Sequence, residues 1–277
     1  ALALLFAAGA LPAQNLDGRL KQFASTKTVT IAYRTDAIPF SYMDDKKQVT
    51  GYSIDLCKRV VDLIKRQHNL PDLQVKWLPV TVQTRFDAIV KGQADMECGS
   101  STVTLSRLKL VDFSSFIFAE STGLLTKAAA GLRSISDFSG KRISVISGTT
   151  NESAVRTQLT RLQISATVLT FKTREEAFAA LVEDKADAYA ADKLLLVGAV
   201  TRSKDQKFLL LPDELSFEPY GITLPRGDSG LRQAVNAALS QIYGSGEIIQ
   251  IYGRWFGQFG EPGQIQKVMY ILGTIPD

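Results

Sequence analysis

The stretch Phe86-Asp-Ala-Ile-Val-Lys-Gly-Gln-Ala-Asp95 decides the fold, because it returns later as Phe178-Ala-Ala-Leu-Val-Glu-Asp-Lys-Ala-Asp187. Phenylalanine, alanine, the paired aliphatic residues and the closing Ala-Asp coincide, which makes six of ten positions. Each copy predicts a helix that turns into a short strand, at Met96–Cys98 and at Ala188–Ala191. Unrelated α/β units also share some features, but so close a coincidence favours two lobes of like topology.

The segments around the first copy predict alternating strands and helices. Val29–Tyr33 is a β-branched run typical of a strand, and Leu73–Leu78 reads as the next strand. Between them, apolar residues at helical spacing predict a helix that opens at Gly51–Asp55, with Ser53 as a candidate N-cap. This order predicts an α/β fold in which each lobe is a mostly parallel sheet flanked by helices.

Two short extended runs, Thr122–Thr126 and Tyr220–Leu224, are the candidate hinge strands between the lobes. If the chain crosses at both, lobe 1 is discontinuous (15–122 and 225–277), and lobe 2 is the insert 123–224, hinge strands included. Ligands of open α/β sheets bind beyond the carboxyl ends of the strands. Two facing lobes would therefore share one cleft and close on a ligand by rotation about the hinges.

Composition excludes several classes of function. The chain has 277 residues, 45% of them hydrophobic, and a formal net charge of +4 with dispersed Lys and Arg, so nucleic acid is not an expected partner. The apolar run Ala1–Ala13 is too short to span a bilayer and matches the core and cleavage region of a signal peptide. A remnant signal peptide at 1–14 predicts export to the periplasm; the alternative is a buried N-terminal helix.

The numbers of cysteine and histidine residues give little support for a metal site or a redox site. Cys57 and Cys98 fit neither a redox pair nor a metal knuckle, and His68 is the single histidine. The two cysteines could bridge in an oxidising compartment, but two buried free thiols are the preferred interpretation. No metal and no cofactor is expected.

The candidate site is built from polar residues at the predicted strand ends. They are, in lobe 1, Arg34, Tyr42, Arg85, Ser100, Ser101, Thr102 and Arg107, and in lobe 2, Ser147, Thr149, Thr150, Arg174 and Asp192. A free amino acid offers a carboxylate, which guanidinium and helix-start N–H groups bind, and an ammonium, which needs a carboxylate. Arg107 and the Ser147–Thr150 turn are suited to bind the carboxylate, and Asp192 is suited to bind the ammonium.

Each of these residues also has an ordinary structural interpretation. Arginines in loops are usually solvated, and Ser147–Thr150 is a common turn from a strand to a helix, here predicted over Asn151–Leu162. Asp192 could simply cap a helix over Lys193–Val200. The pattern as a whole is therefore more informative than any one of its members.

These residues belong to a longer ordered set of motifs that runs from about Lys27 to about Phe256. The set comprises Arg34 with Pro39-Phe40-Ser41-Tyr42, Gly51–Asp55, Arg85, Glu97–Thr102 with Arg107, Asp112–Ser114, Ser147–Thr150, Asp192, Tyr220-Gly221, Gly246, Tyr252 and Trp255-Phe256. It resembles the amino-acid-binding family of periplasmic solute-binding proteins that serve ATP-driven importers, closest to the glutamate/aspartate-binding branch. That resemblance implies a type II two-lobe periplasmic-binding-protein fold.

The resemblance also implies roles for single residues. Arg107, Thr102 and the Thr149-Thr150 backbone would bind the α-carboxylate, and Asp192, Ser100 and Thr102 the ammonium. Arg34 and Arg85 would hold a side-chain carboxylate. This chain departs from the branch at Val82, where the branch has a serine, and at Arg174, where it has a histidine. A third arginine favours glutamate, aspartate or a related dicarboxylate.

The expected partners are thus an acidic amino acid and the membrane permease of an ABC importer, served by a monomer that catalyses no reaction. An enzyme on the same scaffold is the first alternative, since dehydratases of prephenate-like acids resemble these binders and Glu175 or Glu176 could supply an acid. A ligand-sensing domain is the second alternative. The sequence contains no helix-turn-helix segment and no membrane span that would carry such a signal.

Overall fold

A computed structural model describes residues 16–201 and 207–276, and two five-stranded sheets organise them. The predicted leader at 1–14 lies outside the described residues. The strands are β1 (Thr28–Arg34), β2 (Asp36–Ala37), β3 (Ser41–Met43), β4 (Val49–Thr50), β5 (Gln74–Val80), β6 (Met96–Cys98), β7 (Asp112–Glu120), β8 (Thr122–Lys127), β9 (Arg142–Ile146), β10 (Thr167–Phe171), β11 (Ala188–Asp192), β12 (Phe208–Leu210) and β13 (Glu218–Leu224). The helices are α1 (Gly18–Thr26), α2 (Tyr52–Gln67), α3 (Arg85–Val90), α4 (Thr150–Arg161), α5 (Arg174–Val182), α6 (Lys193–Val200), α7 (Ser229–Gly244), α8 (Glu247–Phe256) and α9 (Gln264–Gly273).

The two sheets share one topology. The first has the spatial order β5-β1-β6-β13-β7 and the second β10-β9-β11-β8-β12. In each, three neighbouring strands run parallel and the fourth position is antiparallel. We call the first sheet with α1–α3 and α7–α9 lobe 1, and the second sheet with α4–α6 lobe 2. The predicted α/β fold of two similar, mostly parallel lobes is confirmed.

The repeated decapeptide performs the same structural task in both lobes. It forms α3 or α5 and then enters β6 or β11. Its closing aspartate accepts a backbone hydrogen bond in the neighbouring strand: Asp95 Oδ2 from Thr30 N and Asp187 Oδ2 from Arg142 N, both at 2.7 Å. The Ala-Asp ending therefore holds equivalent strands together, which explains its recurrence.

Most predicted elements lie within a few residues of their observed bounds, but the predicted cap of α2 is wrong. The helix begins at Tyr52 with Gly51 as its N-cap residue. Ser53 is buried within the first turn, and its Oγ donates to the Gly99 carbonyl at 2.8 Å. The side chain thus ties α2 to the loop after β6 instead of to its own helix.

Strand β13 belongs to the first sheet, although the sequence-based division put the hinge strand Tyr220–Leu224, which lies within it, in lobe 2. It pairs with β7 and touches β6, so it fills the fourth position of lobe 1. Strand β8 does lie in the second sheet, directly after Ser121. We accordingly propose that the chain crosses between the lobes at Ser121 and again between Leu210 and Glu218.

The two cysteines form a disulfide, so the preferred interpretation as free thiols is wrong. Helix α2 packs on the first sheet and brings Cys57 over the end of β6, where the Cα atoms of Cys57 and Cys98 are 6.4 Å apart. Both residues are fully buried in the core of lobe 1. The spacing along the chain gave no hint of this contact, because it depends on how the helix lies across the sheet.

Replacing both cysteines by alanine is expected to lower the free energy of unfolding by about 3–4 kcal/mol, because the bridge closes a long loop, with partners 41 residues apart. Urea denaturation measures this loss. Each single replacement should cost about as much as the double one, since either deletes the same bond. An unchanged midpoint in the double variant would contradict the expectation.

No helix among residues 16–201 and 207–276 is long and apolar enough to cross a membrane.

Candidate ligand-binding site

The carboxyl ends of the two sheets face each other and bring most of the predicted residues together. Several contacts cross between the lobes. Thr102 Oγ1 lies 3.3 Å from Thr150 Oγ1, Gln83 Nε2 donates to the Lys172 carbonyl at 3.0 Å, and Val82 packs within the apolar core of lobe 2. These contacts define a closed cleft between strand ends, the arrangement in which α/β sheets bind ligands.

Two buried arginines from lobe 1 form one wall of the cleft. Arg34 ends β1 and is 0% exposed, and Arg85 begins α3 and is 4% exposed. Among the described residues, Arg34 Nε, Arg34 Nη1 and Arg85 Nε have no hydrogen-bond partner. Burial, together with the positive charges of Arg34 and Arg107, lowers the pKa of Arg85 to about 9. Burying guanidinium groups that repel one another and have unpaired donors costs free energy unless an anion binds between them.

A carboxylate that the sequence analysis did not identify links Arg34 to lobe 2. Asp36 Oδ1 accepts from Arg34 Nη2 at 2.6 Å, and its Oδ2 lies 3.7 Å from Arg174 Nε. Although burial acts to raise it, the two guanidinium groups hold the pKa of Asp36 below its ordinary value. The predicted site residue Arg174 therefore reaches the cleft from lobe 2 and pairs across it.

Arg107 is held by the backbone of its own loop. Its Nη1 donates to the Thr102 carbonyl at 2.7 Å, and its guanidinium lies over the Phe86 ring at 5.1 Å. The Arg85 guanidinium lies over the same ring at 4.7 Å. Thr102 Oγ1 donates to Glu218 Oε2 at 2.6 Å, so a buried carboxylate fixes this threonine. The loop after β6 and strand β13 together set the position of Arg107.

Asp192 ends β11 and is 4% exposed. Its Oδ1 accepts from Asn151 Nδ2 at 2.6 Å, and its Oδ2 accepts from the Tyr220 hydroxyl. Although it stands at the N-cap position of α6, its side chain makes no capping bond. Burial and the nearby Glu218 raise the pKa of Asp192 to about 6. The hydrogen bonds from Asn151 and Tyr220 fix the Asp192 carboxylate at the end of β11.

The Ser147–Thr150 turn supplies less than the sequence suggested. The Gly148 N–H donates to Glu152 Oε2 at 2.9 Å, and Thr149 Oγ1 accepts from Glu152 N as the cap of α4. Ser147 is exposed, whereas Thr150 faces Thr102 across the cleft. The part of the turn that borders the cleft is thus its last residue.

The remaining predicted residues differ in their surroundings. Ser100 and Ser101 are buried in the loop after β6, and the Ser101 carbonyl accepts from Gly221 N at 3.2 Å. Among the described residues, Ser101 Oγ has no hydrogen-bond partner. Tyr42 lies half-buried in β3, with its ring edge-on to Trp255 at 6.2 Å. This ring contact is with α8, on the lobe 1 side.

Several functional neighbours were missed by sequence reasoning. They are Asp36 beside Arg34, Glu97 within strand β6, Asn151 and Tyr220 as donors to Asp192, and Glu218 beside Thr102. An acidic residue inside the buried strand Met96–Cys98 was a usable signal, because buried charges need partners. The Asp36 contact was also detectable, since residues two apart on an extended chain share one side. Asn151 was taken only as the first residue of a helix.

The two carboxylates considered as the acid of an enzyme, Glu175 and Glu176, lie in the first turn of α5. Helix α5 begins at Arg174, and Glu176 Oε2 accepts from Lys172 N and Thr173 N at 3.0 and 3.1 Å as part of a capping box. Glu175 is exposed at the outer rim. Glu176 thus caps its own helix, and Glu175 is exposed to solvent.

This fold and cleft define a type II periplasmic binding protein: two α/β lobes closed around a polar site. The family model for bacterial extracellular solute-binding proteins, family 3, matches residues 29–258, and the chain belongs to this family.

Named relatives share most of the chain. It is 36% identical to the L-glutamate/L-aspartate-binding protein of Pseudomonas aeruginosa over 89% of this chain and 82% of that protein. It is 30% identical to the glutamate/aspartate import solute-binding protein of Escherichia coli over 92% and 86%. A solved ancestral amino acid-binding protein, a precursor of cyclohexadienyl dehydratase, is 27% identical with a TM-score of 0.75, over 86% of this chain and 100% of that chain.

Proposed function

We propose that this protein binds L-glutamate or L-aspartate between its lobes and presents it to the membrane permease of an ABC importer. The observation that carries the proposal is the pair of buried arginines with unpartnered donors, Arg34 and Arg85. A side-chain carboxylate would accept from both guanidinium groups and relieve their mutual repulsion. The relatives named for glutamate and aspartate support the same ligand class.

The other end of the cleft suits the amino-acid backbone. Asp192 would receive the ammonium, because its carboxylate is buried and held by Asn151 and Tyr220. Arg107 would bind the α-carboxylate, supported by Thr102 and by Thr150 from the facing lobe. The cleft therefore offers charged groups for each of the three ionised groups of an acidic amino acid.

Closure would couple binding to transport, because the proposed ligand groups are divided between the lobes. Arg34, Arg85 and Arg107 belong to lobe 1, whereas Asp192 and Arg174 belong to lobe 2. A ligand that touches both lobes stabilises the closed form, and a permease can recognise that form. The disulfide is typical of an oxidising compartment and supports a periplasmic location for this protein.

A thermal-shift screen of the twenty amino acids tests the proposal. Glutamate and aspartate at 100 times their Kd should add about 2.7 kcal/mol to the folded state, a rise in Tm of roughly 5–10 °C for a chain of this size. Arginine and lysine should give no shift, because the cleft already holds unpaired cations. A larger shift with a neutral or basic amino acid would contradict the acidic ligand. Turnover of prephenate or arogenate would point instead to a dehydratase.

A further inference from the structure

Glu97 is a buried carboxylate in strand β6 that the proposed function does not use. It is 0% exposed, and its Oε2 accepts from Thr223 Oγ1 of β13 at 2.8 Å. Among the described residues its other oxygen, Oε1, has no hydrogen-bond partner. A charged group with an unpaired oxygen in a protein core costs free energy unless opposite charges lie near it. Positive charges are therefore expected close to Glu97.

The pairing of the strands puts Glu97 on the face of the first sheet that carries Arg34 and Arg85, the inner arginines of the cleft. Ala32 of β1 lies opposite Glu97 in the parallel pair, and Arg34 follows two residues later, on the same face. Helix α3, which begins at Arg85, packs on this face, where Ala32 shares an apolar core with Ala88 of that helix. The carboxylate and both inner arginines therefore lie on one side of the sheet.

Gly99 allows the carboxylate to approach the stem of Arg34 closely. A Cβ at this glycine would overlap Glu97 Oε1 and come within 3.0 Å of Arg34 Cγ. Even so, Glu97 Oε1 accepts no hydrogen bond from either inner guanidinium group, and Oε2 is bonded to Thr223. Glu97 therefore acts on the inner arginines through space and leaves their donors free for a ligand.

The charge of Glu97 reaches all three guanidinium groups of lobe 1. Burial lowers the pKa of Arg34, Arg85 and Arg107, and attraction to Glu97 opposes this lowering in each of them. Arg34 has a stronger partner in Asp36, whereas Glu97 is the carboxylate that acts most strongly on Arg85. Glu97 is therefore the main counter-charge of Arg85 in the empty cleft.

We propose that Glu97, held in place by Thr223, is a specificity-determining residue that sets how strongly the site prefers a side-chain carboxylate to an amide. Its charge stabilises the guanidinium groups when the cleft is empty and repels the side-chain carboxylate of the ligand when the cleft is filled. This inference rests on the proposed function, since the preference exists only if Arg34 and Arg85 receive such a carboxylate.

Calorimetry of Glu97→Gln with L-glutamate and L-glutamine tests the effect on specificity. The new side chain keeps the size of the old one and an oxygen for Thr223, but it carries no charge. Glutamate should bind about tenfold more tightly, because a buried negative charge near its side chain has been removed, whereas glutamine should change by less than about threefold. The matched control Glu261→Gln, at an exposed position of lobe 1, should leave both affinities unchanged.

A purely structural role for Glu97 gives a different result, because a disturbed site would weaken both ligands alike. An unchanged ratio of the two affinities in Glu97→Gln therefore overturns the proposal. An increase in the ratio caused only by weaker glutamine binding overturns it as well, since the removed repulsion acts on the carboxylate.

Thr223→Val is a second variant, which keeps the inference testable if Glu97→Gln does not fold. Valine suits a strand, and the change removes the hydrogen bond to Glu97 without altering any charge. The freed carboxylate should turn towards Arg85 and occupy its donor, so the preference for glutamate over glutamine should fall by about tenfold. A folded Thr223→Val variant with the original preference overturns the proposed positioning of Glu97.

A measurement without ligand separates this inference from the proposed function. Ligand-free Glu97→Gln should unfold at a lower urea concentration than the unmodified protein. That loss should shrink by about half or more in an Arg85→Met background, because the main partner of the carboxylate is then absent. Equal losses in both backgrounds overturn the counter-charge role even if glutamate binds. An unmodified protein that does not prefer glutamate overturns the proposed function and the specificity role together, whatever the unfolding midpoints show.

Discussion

Asp192→Asn is expected to weaken glutamate binding by a factor on the order of 100 to 1,000. The ligand ammonium would be buried beside a neutral amide, and removing one partner of a buried ion pair costs about 3–5 kcal/mol. Asparagine keeps the size of the side chain and one oxygen for Asn151 Nδ2, which donates to Asp192 at 2.6 Å, so the fold should survive. Calorimetry measures the affinity, and urea denaturation checks the stability of the variant.

The same carboxylate should make binding depend on pH. Burial raises the pKa of Asp192 to about 6 in the empty cleft, and the ammonium requires its ionised form. Binding must therefore expel a proton below that pH, so affinity should be constant at higher pH and fall by up to tenfold per unit below about 6. The Asp192→Asn variant should lose this dependence. Glu183→Gln, which removes one exposed negative charge from lobe 2, should keep it together with full affinity. Full affinity in Asp192→Asn would exclude the ammonium role.

Arg85→Ala is expected to remove most of the preference for glutamate over glutamine. In the unmodified protein, an amide would present donors to the inner guanidinium groups, whereas a carboxylate accepts charge-assisted hydrogen bonds worth about 1.5–3 kcal/mol each. At about 1.4 kcal/mol per tenfold, glutamate should bind on the order of 100-fold better. Without Arg85 the ratio should fall below about tenfold, with glutamate losing more affinity than glutamine.

The stability of the ligand-free protein gives an independent test of the repulsion between Arg34 and Arg85. Because burial and neighbouring cations lower the pKa of Arg85 to about 9, its charge costs free energy when no anion is bound. Arg85→Met, which keeps an apolar contact with Phe86, should raise the free energy of unfolding without ligand and lower the stabilisation by glutamate. Lys91→Ala removes an exposed cation at the end of α3 and should change neither quantity. Equal affinities of the unmodified protein for glutamate and glutamine would contradict the acidic ligand.

The two-lobe fold could be predicted because its evidence is local. The repeated decapeptide carries the helix, the strand start and the aspartate that ties neighbouring strands together, and all of these follow from residue type and spacing. Strand-end residues such as Arg34 and Asp192 were also within reach, since a sheet places them at one edge. Their presence in one cleft then follows from the repetition of the fold.

The rest depends on contacts between distant segments. The Cys57–Cys98 bond requires the angle at which α2 crosses the sheet, and β13 reaches its place from far along the chain. The tyrosine that holds Asp192 has its ring packed among aromatic residues of lobe 1, with Phe40 at 5.2 Å. No spacing rule connects Tyr220 to a strand end in the other lobe.

Because the chain is synthesised from its N-terminus, the position of β13 in the first sheet determines which lobe can complete its folding first. All five strands of the second sheet come from one uninterrupted stretch, β8 to β12, whereas the first sheet needs a strand from beyond it. Until Glu218–Leu224 arrives, β6 and β7 have no neighbour between them, and unpaired strand edges promote aggregation. Lobe 1, although its first residues are made earliest, is therefore the last to close, and its strand edges stay unpaired for longer than those of lobe 2.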